Sequence, residues 1–225
     1  VESLEKPSLY QSVCAGGTRR MLEAAEAAGV RRLIHAGSCS VYGDAPPPIG
    51  EDASTAPMSP KAAAKREAEE HCRAFAREGR LETVCPRFFN VYGPRQRADS
   101  PYAGVIAIFA AMAARGEAPV IFGTGEQTRD FIHVSDIVDG LLLASVASGV
   151  GEGRPINLGS GHATSVLELA TLLGCDPPSH AEGRRGEILH SLADASLARR
   201  VLNFESSVEL EQGLKDPRLL RPNNA

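Results

Sequence analysis

Lys61 and Lys65 stand four positions apart in the stretch Ser59-Pro60-Lys61-Ala62-Ala63-Ala64-Lys65. On a helix that spacing puts both ammonium groups on one face. A lysine accepts a proton only after losing one, and its ordinary pKa is about 10.4. Burial and a neighbouring like charge both lower that value, so a neutral Lys61 beside a charged Lys65 is a conceivable general base. Upstream, Ala36-Gly37-Ser38-Cys39-Ser40-Val41-Tyr42-Gly43 sets a serine and a cysteine where an apolar run opens into a turn. Taken alone, Ser38 is a turn serine. Cys39 is either a small packed residue or a reactive thiol.

The elements that must position these groups follow from periodicity and breakers. A helix is predicted from Thr18 to Ala28, closed by Gly29. Leu33–Ala36 reads as a short buried strand, and Pro46-Pro47-Pro48 as a loop. Pro60 suits the first position of a long helix reaching about Arg77. Leu81–Arg87 is a strand candidate weakened by Pro86, which lacks a ladder donor. Helix Val105–Arg115, strand Pro119–Phe122, the turn Gly123-Thr124-Gly125, helix Val134–Ala147 and strand Pro155–Leu158 come next. Ser165–Leu173, Ala193–Leu202 and Val208–Leu214 complete the list, with a disordered-looking tail from Asp216. Strands alternating with helices predict an α/β fold with a parallel sheet.

The 225 residues suffice for one domain with a smaller lobe. With 24 basic and 28 acidic residues the net charge is −4, which leaves no electrostatic footprint for nucleic acid or an anionic membrane. No apolar run approaches the roughly 18 residues that would span a bilayer. Val1-Glu2-Ser3-Leu4-Glu5-Lys6 does not resemble a signal peptide. Five cysteines without a C-x-x-C pair argue against a disulfide framework or a zinc site, so a reducing cytoplasm and no metal are expected.

Together, Ser38 and the Ser59–Lys65 stretch resemble the Ser…Tyr-x-x-x-Lys active site of extended short-chain dehydrogenase/reductases. Arg87-Phe88-Phe89-Asn90-Val91-Tyr92-Gly93-Pro94-Arg95-Gln96 is similar to the Arg-(Tyr/Phe)-Phe-Asn-Val-Tyr-Gly-Pro-Arg-Gln signature of UDP-sugar epimerases. Val120–Gly123, Gly125–Val134 and Arg184-Arg185-Gly186-Glu187-Ile188 match further family motifs. The chain therefore resembles the NAD-dependent epimerase/dehydratase family, and within it the UDP-glucose 4-epimerase branch. The resemblance implies a Rossmann-like doubly wound sheet over 1–90, with 130–160 returning to it, and a nucleotide-sugar lobe over 91–225.

It also implies roles. Ser38, Lys61 and Lys65 would be catalytic, and Cys14, Ala36, Gly37, Lys65 and Phe88 would face NAD. Asn90, Val105, Val120, Phe122, Arg129, Arg184 and Glu187 would bind a UDP-sugar, the two arginines gripping its diphosphate with planar forks. The helix of Lys61 and Lys65 would join a four-helix bundle in a homodimer.

The departures are as informative. Lys61 occupies the position of the family's catalytic tyrosine, and Cys14 that of an asparagine at the cofactor. No G-x-G-x-x-G turn follows a strand here, so the pyrophosphate-cradling part of the family fold is not in this sequence. Family dehydratases carry an Asp-Glu pair after the serine; Cys39 and Ser40 stand there instead, which favours 4-epimerisation. Three readings stay open: an impaired epimerase, a nucleotide-sugar-binding pseudoenzyme, and a dimerising fragment.

Overall fold

A computed structural model describes residues 2–100, 103–175, 178–183 and 188–219. The chain opens with α1 (Glu2–Glu5) and α2 (Pro7–Tyr10). A π-helical turn, Gln11–Gly16, then runs unbroken into α3 (Gly17–Ala27). Gly29, at φ +68°, takes the left-handed conformation just past that helix.

The main sheet is parallel. β1 (Arg32–Ile34) and β2 (Gly37–Ser38) lie in line along one side of β3 (Glu82–Phe88). A long α4 (Pro60–Arg77) connects them, after a 3-10 turn at Cys39–Tyr42. The sequence reads Leu33–Ala36 as buried, but β1 is only half-buried and Ala36 is exposed. The reason is topological: among the described residues β1 and β2 pair with β3 alone, so their other edge is open. Pro86 fits because of strand alternation. Val84 accepts from the His35 N–H, so position 86 faces the same neighbour, and there the ladder is already broken between Ile34 and Gly37.

β4 (Asn90–Tyr92), α5 (Val105–Ala114) and β5 (Val120–Phe122) build the start of a lobe. β6 (Thr128–His133), which periodicity did not single out as a strand, is the centre of its three-stranded sheet. α6 (Val134–Val146) and β7 (Glu152–Leu158) return to the main sheet, with β7 parallel to β3 on its far side. β8 (Ala163–Ser165) pairs antiparallel with β6, and α7 (Val166–Leu172) follows. β9 (Ser179–Ala181) pairs with β5; α8 (Ser196–Leu202) and α9 (Leu210–Leu214) close the fold.

Neighbouring residues of β3 show the two layers. Cys85 packs with Leu22, Cys72 and Phe75 under α3 and α4. Val84, pointing the other way, packs with Ile137, Ala144, Ile156 and Leu202 under α6 and α8. Helices thus cover both faces of a parallel sheet, as a doubly wound fold requires. A separate core of Tyr92, Ile106, Phe109, Ile121 and Leu169 holds the lobe. No helix among the described residues is long and apolar enough to cross a membrane.

Candidate active site

Ser59 starts α4 by accepting a hydrogen bond from the Ala62 N–H at 3.2 Å, and Pro60 fits the first turn. This fixes the turn that presents Lys61 and Lys65. The Lys65 ammonium reaches the end of β1 and donates to the Ala36 carbonyl at 2.7 Å. Burial holds Lys65 below the ordinary lysine range; Lys61 pulls it the same way, while Cys14 and Glu69 oppose. Cys14, on the π-helical turn, therefore lies within electrostatic reach of Lys65. Ala36, Gly37 and Phe88 lie along the same strand ends, with Ser38 opposite Phe88 in register. Gly37 is required by close approach, since a Cβ there would lie 2.8 Å from the Pro86 carbonyl oxygen and 3.0 Å from Glu69 Oε1.

Ser38 caps the 3-10 turn. Its hydroxyl accepts from the Ser40 N–H at 3.3 Å and lies 2.9 Å from the Ser40 hydroxyl. Cys39 is partly accessible, and its thiol is held in the protonated form. Burial, with the Asp130 carboxylate, pushes it up to about 12, against a Ser191 hydrogen bond and the Arg129 charge. The Arg129 charge thus reaches the residue after Ser38 electrostatically.

A cleft of about 340 Å³ opens on that side. Five residues expected to meet a nucleotide sugar line it: Asn90, Val105, Val120, Phe122 and Arg129. Asn90 Nδ2 donates to the Asp130 carbonyl at 3.3 Å. Arg129 Nη1 donates to the carbonyls of Thr128 at 2.8 Å and Leu189 at 3.4 Å, which anchors the guanidinium at the rim. Arg184 and Glu187 lie outside the described residues. Ile108, Phe109 and Met112 also line the cleft, as does Gln127, which donates to the Phe122 carbonyl at 3.0 Å. The sequence reading missed these four. The signal was present for three, because with Val105 they fall at i, i+3, i+4 and i+7 on α5.

Behind the strand ends lies a buried polar network. Arg87 meets Glu69 through Nε at 3.1 Å and Nη2 at 2.6 Å, and its guanidinium sits 4.6 Å over the Tyr42 ring. The Tyr42 hydroxyl donates to Asn157 Oδ1 at 2.7 Å. The Asn157 N–H donates to Glu51 Oε1 at 2.7 Å, and its Nδ2 donates to the Ile49 carbonyl at 2.8 Å. His35, between the sheet and Lys65, is pulled down to about 4 by burial and then by the Lys65 charge, so its ring is neutral. No group of His, Cys, Asp and Glu among the described residues could hold a metal ion.

Comparison with known proteins gives this geometry a lineage. A UDP-glucose 4-epimerase of Mycolicibacterium smegmatis is 36% identical over 219 residues, covering 94% of this chain and 69% of that protein. The UDP-glucose 4-epimerase of Thermotoga maritima, solved with UDP-glucose, superposes with a TM-score of 0.90 at 34% identity, covering 97% of this chain and 72% of that one. The UDP-glucuronic acid 4-epimerase of Bacillus cereus, solved with NAD, gives 0.80 at 28% identity, covering 90% and 65%. The chain thus spans about two thirds to three quarters of the length of these relatives. The family model described as "NAD dependent epimerase/dehydratase family" matches residues 1–159, and this chain belongs to that family.

Proposed function

We propose that the protein binds a UDP-hexose in the cleft of Asn90, Val105, Val120, Phe122 and Arg129, and that it is built for 4-epimerisation by transient oxidation at C4. One observation carries this reading: residues from three separate motifs, Asn90, Val120 with Phe122, and Arg129, line one cleft. The apolar walls from α5 and β5 suit the flat face of a base, and Arg129 suits a diphosphate.

The residues present fit the nicotinamide-ribose end of NAD. Lys65 offers a fixed ammonium at the strand end, Ala36 is exposed beside it, and Cys14 lies within its electrostatic reach. When bound there, NAD supplies a reversible store for the C4 hydride. This chain's own residues do the rest. Ser38 would orient the reacting sugar hydroxyl, and Lys65 would hold a positive charge near it, favouring the deprotonated oxygen.

The side chain that must take the hydroxyl proton is the weak point. A tyrosine beside Lys65 is activated by that charge, because its conjugate base is an anion. A lysine carries a proton of its own at its ordinary pKa and must lose it before it can take another. We therefore read the chain as an impaired epimerase that keeps nucleotide-sugar binding. Turnover of UDP-galactose, measured on the native chain and on Lys61→Tyr with NAD added, tests this. The variant should be at least about tenfold faster. Equal and measurable rates would show that Lys61 is a competent base, and no turnover in either would refute 4-epimerisation by this chain.

A homodimer fits the same reading. Leu9, Val13 and Met21 are exposed at four-residue steps with Gly17 between them, a stripe that runs beside α4. Sedimentation of the chain against a Val13→Glu variant would separate dimer from monomer.

A further inference from the structure

Arg66, Glu70, Arg73 and Arg77 recur at i, i+4, i+7 and i+11, so one stripe of α4 carries three guanidinium groups. Arg66 pairs with Glu70 at 3.3 Å. Among the described residues no ion pair or side-chain hydrogen bond engages Arg73, Arg77 or Arg154. Arg154 joins the other two through a backbone device. β7 bulges at Gly153, which has φ +71°, and a Cβ there would lie 2.5 Å from the Arg73 Cα. Only glycine allows that approach, so strand and helix touch and the next residue, Arg154, is delivered beside Arg73 and Arg77.

Between them is a cleft of about 470 Å³ whose single acid is Glu152. Arg73 also lines an adjoining cleft of about 280 Å³, where Ser54 and Thr55 add hydroxyl groups and Glu51, Glu69 and Glu70 add carboxylates. The anion site is therefore the Arg77–Arg154 side alone. Neither cleft shares a lining residue with the one that holds Arg129. This concentration of positive charge stands out on a chain whose net charge is −4. Like charges repel when crowded, and planar guanidinium forks match phosphoryl oxygens two at a time.

We propose that the Arg73–Arg77–Arg154 cleft is a second anion site that takes a phosphoryl group, as a free diphosphate or on a phosphate ester. It does not depend on the reading of the Arg129 cleft. It rides on the helix that carries Lys65, about 12 Å along the axis from it.

The test is calorimetric titration of the chain at constant ionic strength with inorganic pyrophosphate, inorganic phosphate and glycerol 3-phosphate. Pyrophosphate or glycerol 3-phosphate should bind, and whichever is tighter tells a diphosphate from a monoester site. Arg73→Ala/Arg154→Ala should weaken that binding by at least about tenfold, the loss of a charge-assisted fork. In an Arg129→Ala background, which removes the diphosphate contact of the other cleft, this binding should persist. Absence of binding, or the same affinity in the double variant, overturns the proposal, as does loss in Arg129→Ala. Should the double variant fail to fold, phenylglyoxal labelling of the unaltered chain decides. Pyrophosphate or glycerol 3-phosphate should slow modification of Arg73, Arg77 and Arg154 relative to exposed Arg20, and equal slowing at all four overturns it.

Discussion

The sheet side of the candidate site and the lobe side are held by different forces. Beneath Ser38 and Lys65 the structure is welded by polar groups: the Glu69–Arg87 pair, Tyr42 over it, and Asn157 tying β7 to the loop at Ile49 and Glu51. The cleft across from it has apolar walls, Val105, Ile108, Phe109 and Met112 from α5 against Val120 and Phe122, with Arg129 as its guanidinium. Proton and hydride chemistry demands fixed angles, which directional bonds in a low dielectric supply. Holding a base demands area and shape, which side-chain packing supplies. Damage to the first side should therefore appear as lost stability, and damage to the second as lost affinity.

The strongest way to break that contrast is Glu69→Ala. It strands the buried Arg87 charge and should cost about 3–5 kcal/mol in urea unfolding. Glu69→Leu/Arg87→Met should recover much of that loss; if the single variant is as stable as the parent, the weld does not exist.

Next is pH. His35 has a folded pKa of about 4, below the ordinary 6.5. The unfolded chain therefore takes the proton first. The contribution is full above pH 6.5, declines as pH falls towards 4, and is flat below that. It amounts to about 3 kcal/mol. His35→Leu should lose that part of the acid sensitivity, seen as the difference between the two stability-versus-pH curves; parallel curves would refute it.

On the lobe side, Arg129→Ala should weaken UDP binding by about 1.5–3 kcal/mol, with little change in the unfolding midpoint. Arg129→Lys should restore only part, because a point charge lacks the fork. A large drop in stability instead would make Arg129 part of the frame. The smallest effect is Tyr42→Phe, which removes one donor to Asn157 and should cost about 1 kcal/mol by thermal unfolding.

Much of this was legible beforehand. Pro60–Arg77 was visible as a helix from Ser59-Pro60 and its Ala/Glu/Arg run, and the structure has the same bounds. Asn90, Val120, Phe122 and Arg129 were grouped by motif, and together with Val105 they line one cleft. β6 was missed because Thr128–His133 alternates poorly: both faces are buried, one by the lobe and one through Asp130, which binds Ser160, Gly161 and Ala193. The fate of Cys39 was open, since thiol reactivity depends on what surrounds the sulfur and not on the residue before it.

Local pattern alone settled where helices start, which faces are apolar, and that Lys61 shares a helix face with Lys65, because these depend on neighbours within a turn or two. Tertiary structure alone decided that Arg129 shares a cleft with Asn90 and Val120, that Lys65 reaches the Ala36 carbonyl, and that Gly153 brings Arg154 to Arg73. Those pairings join residues far apart in the chain, and only the packing of whole elements sets their distance.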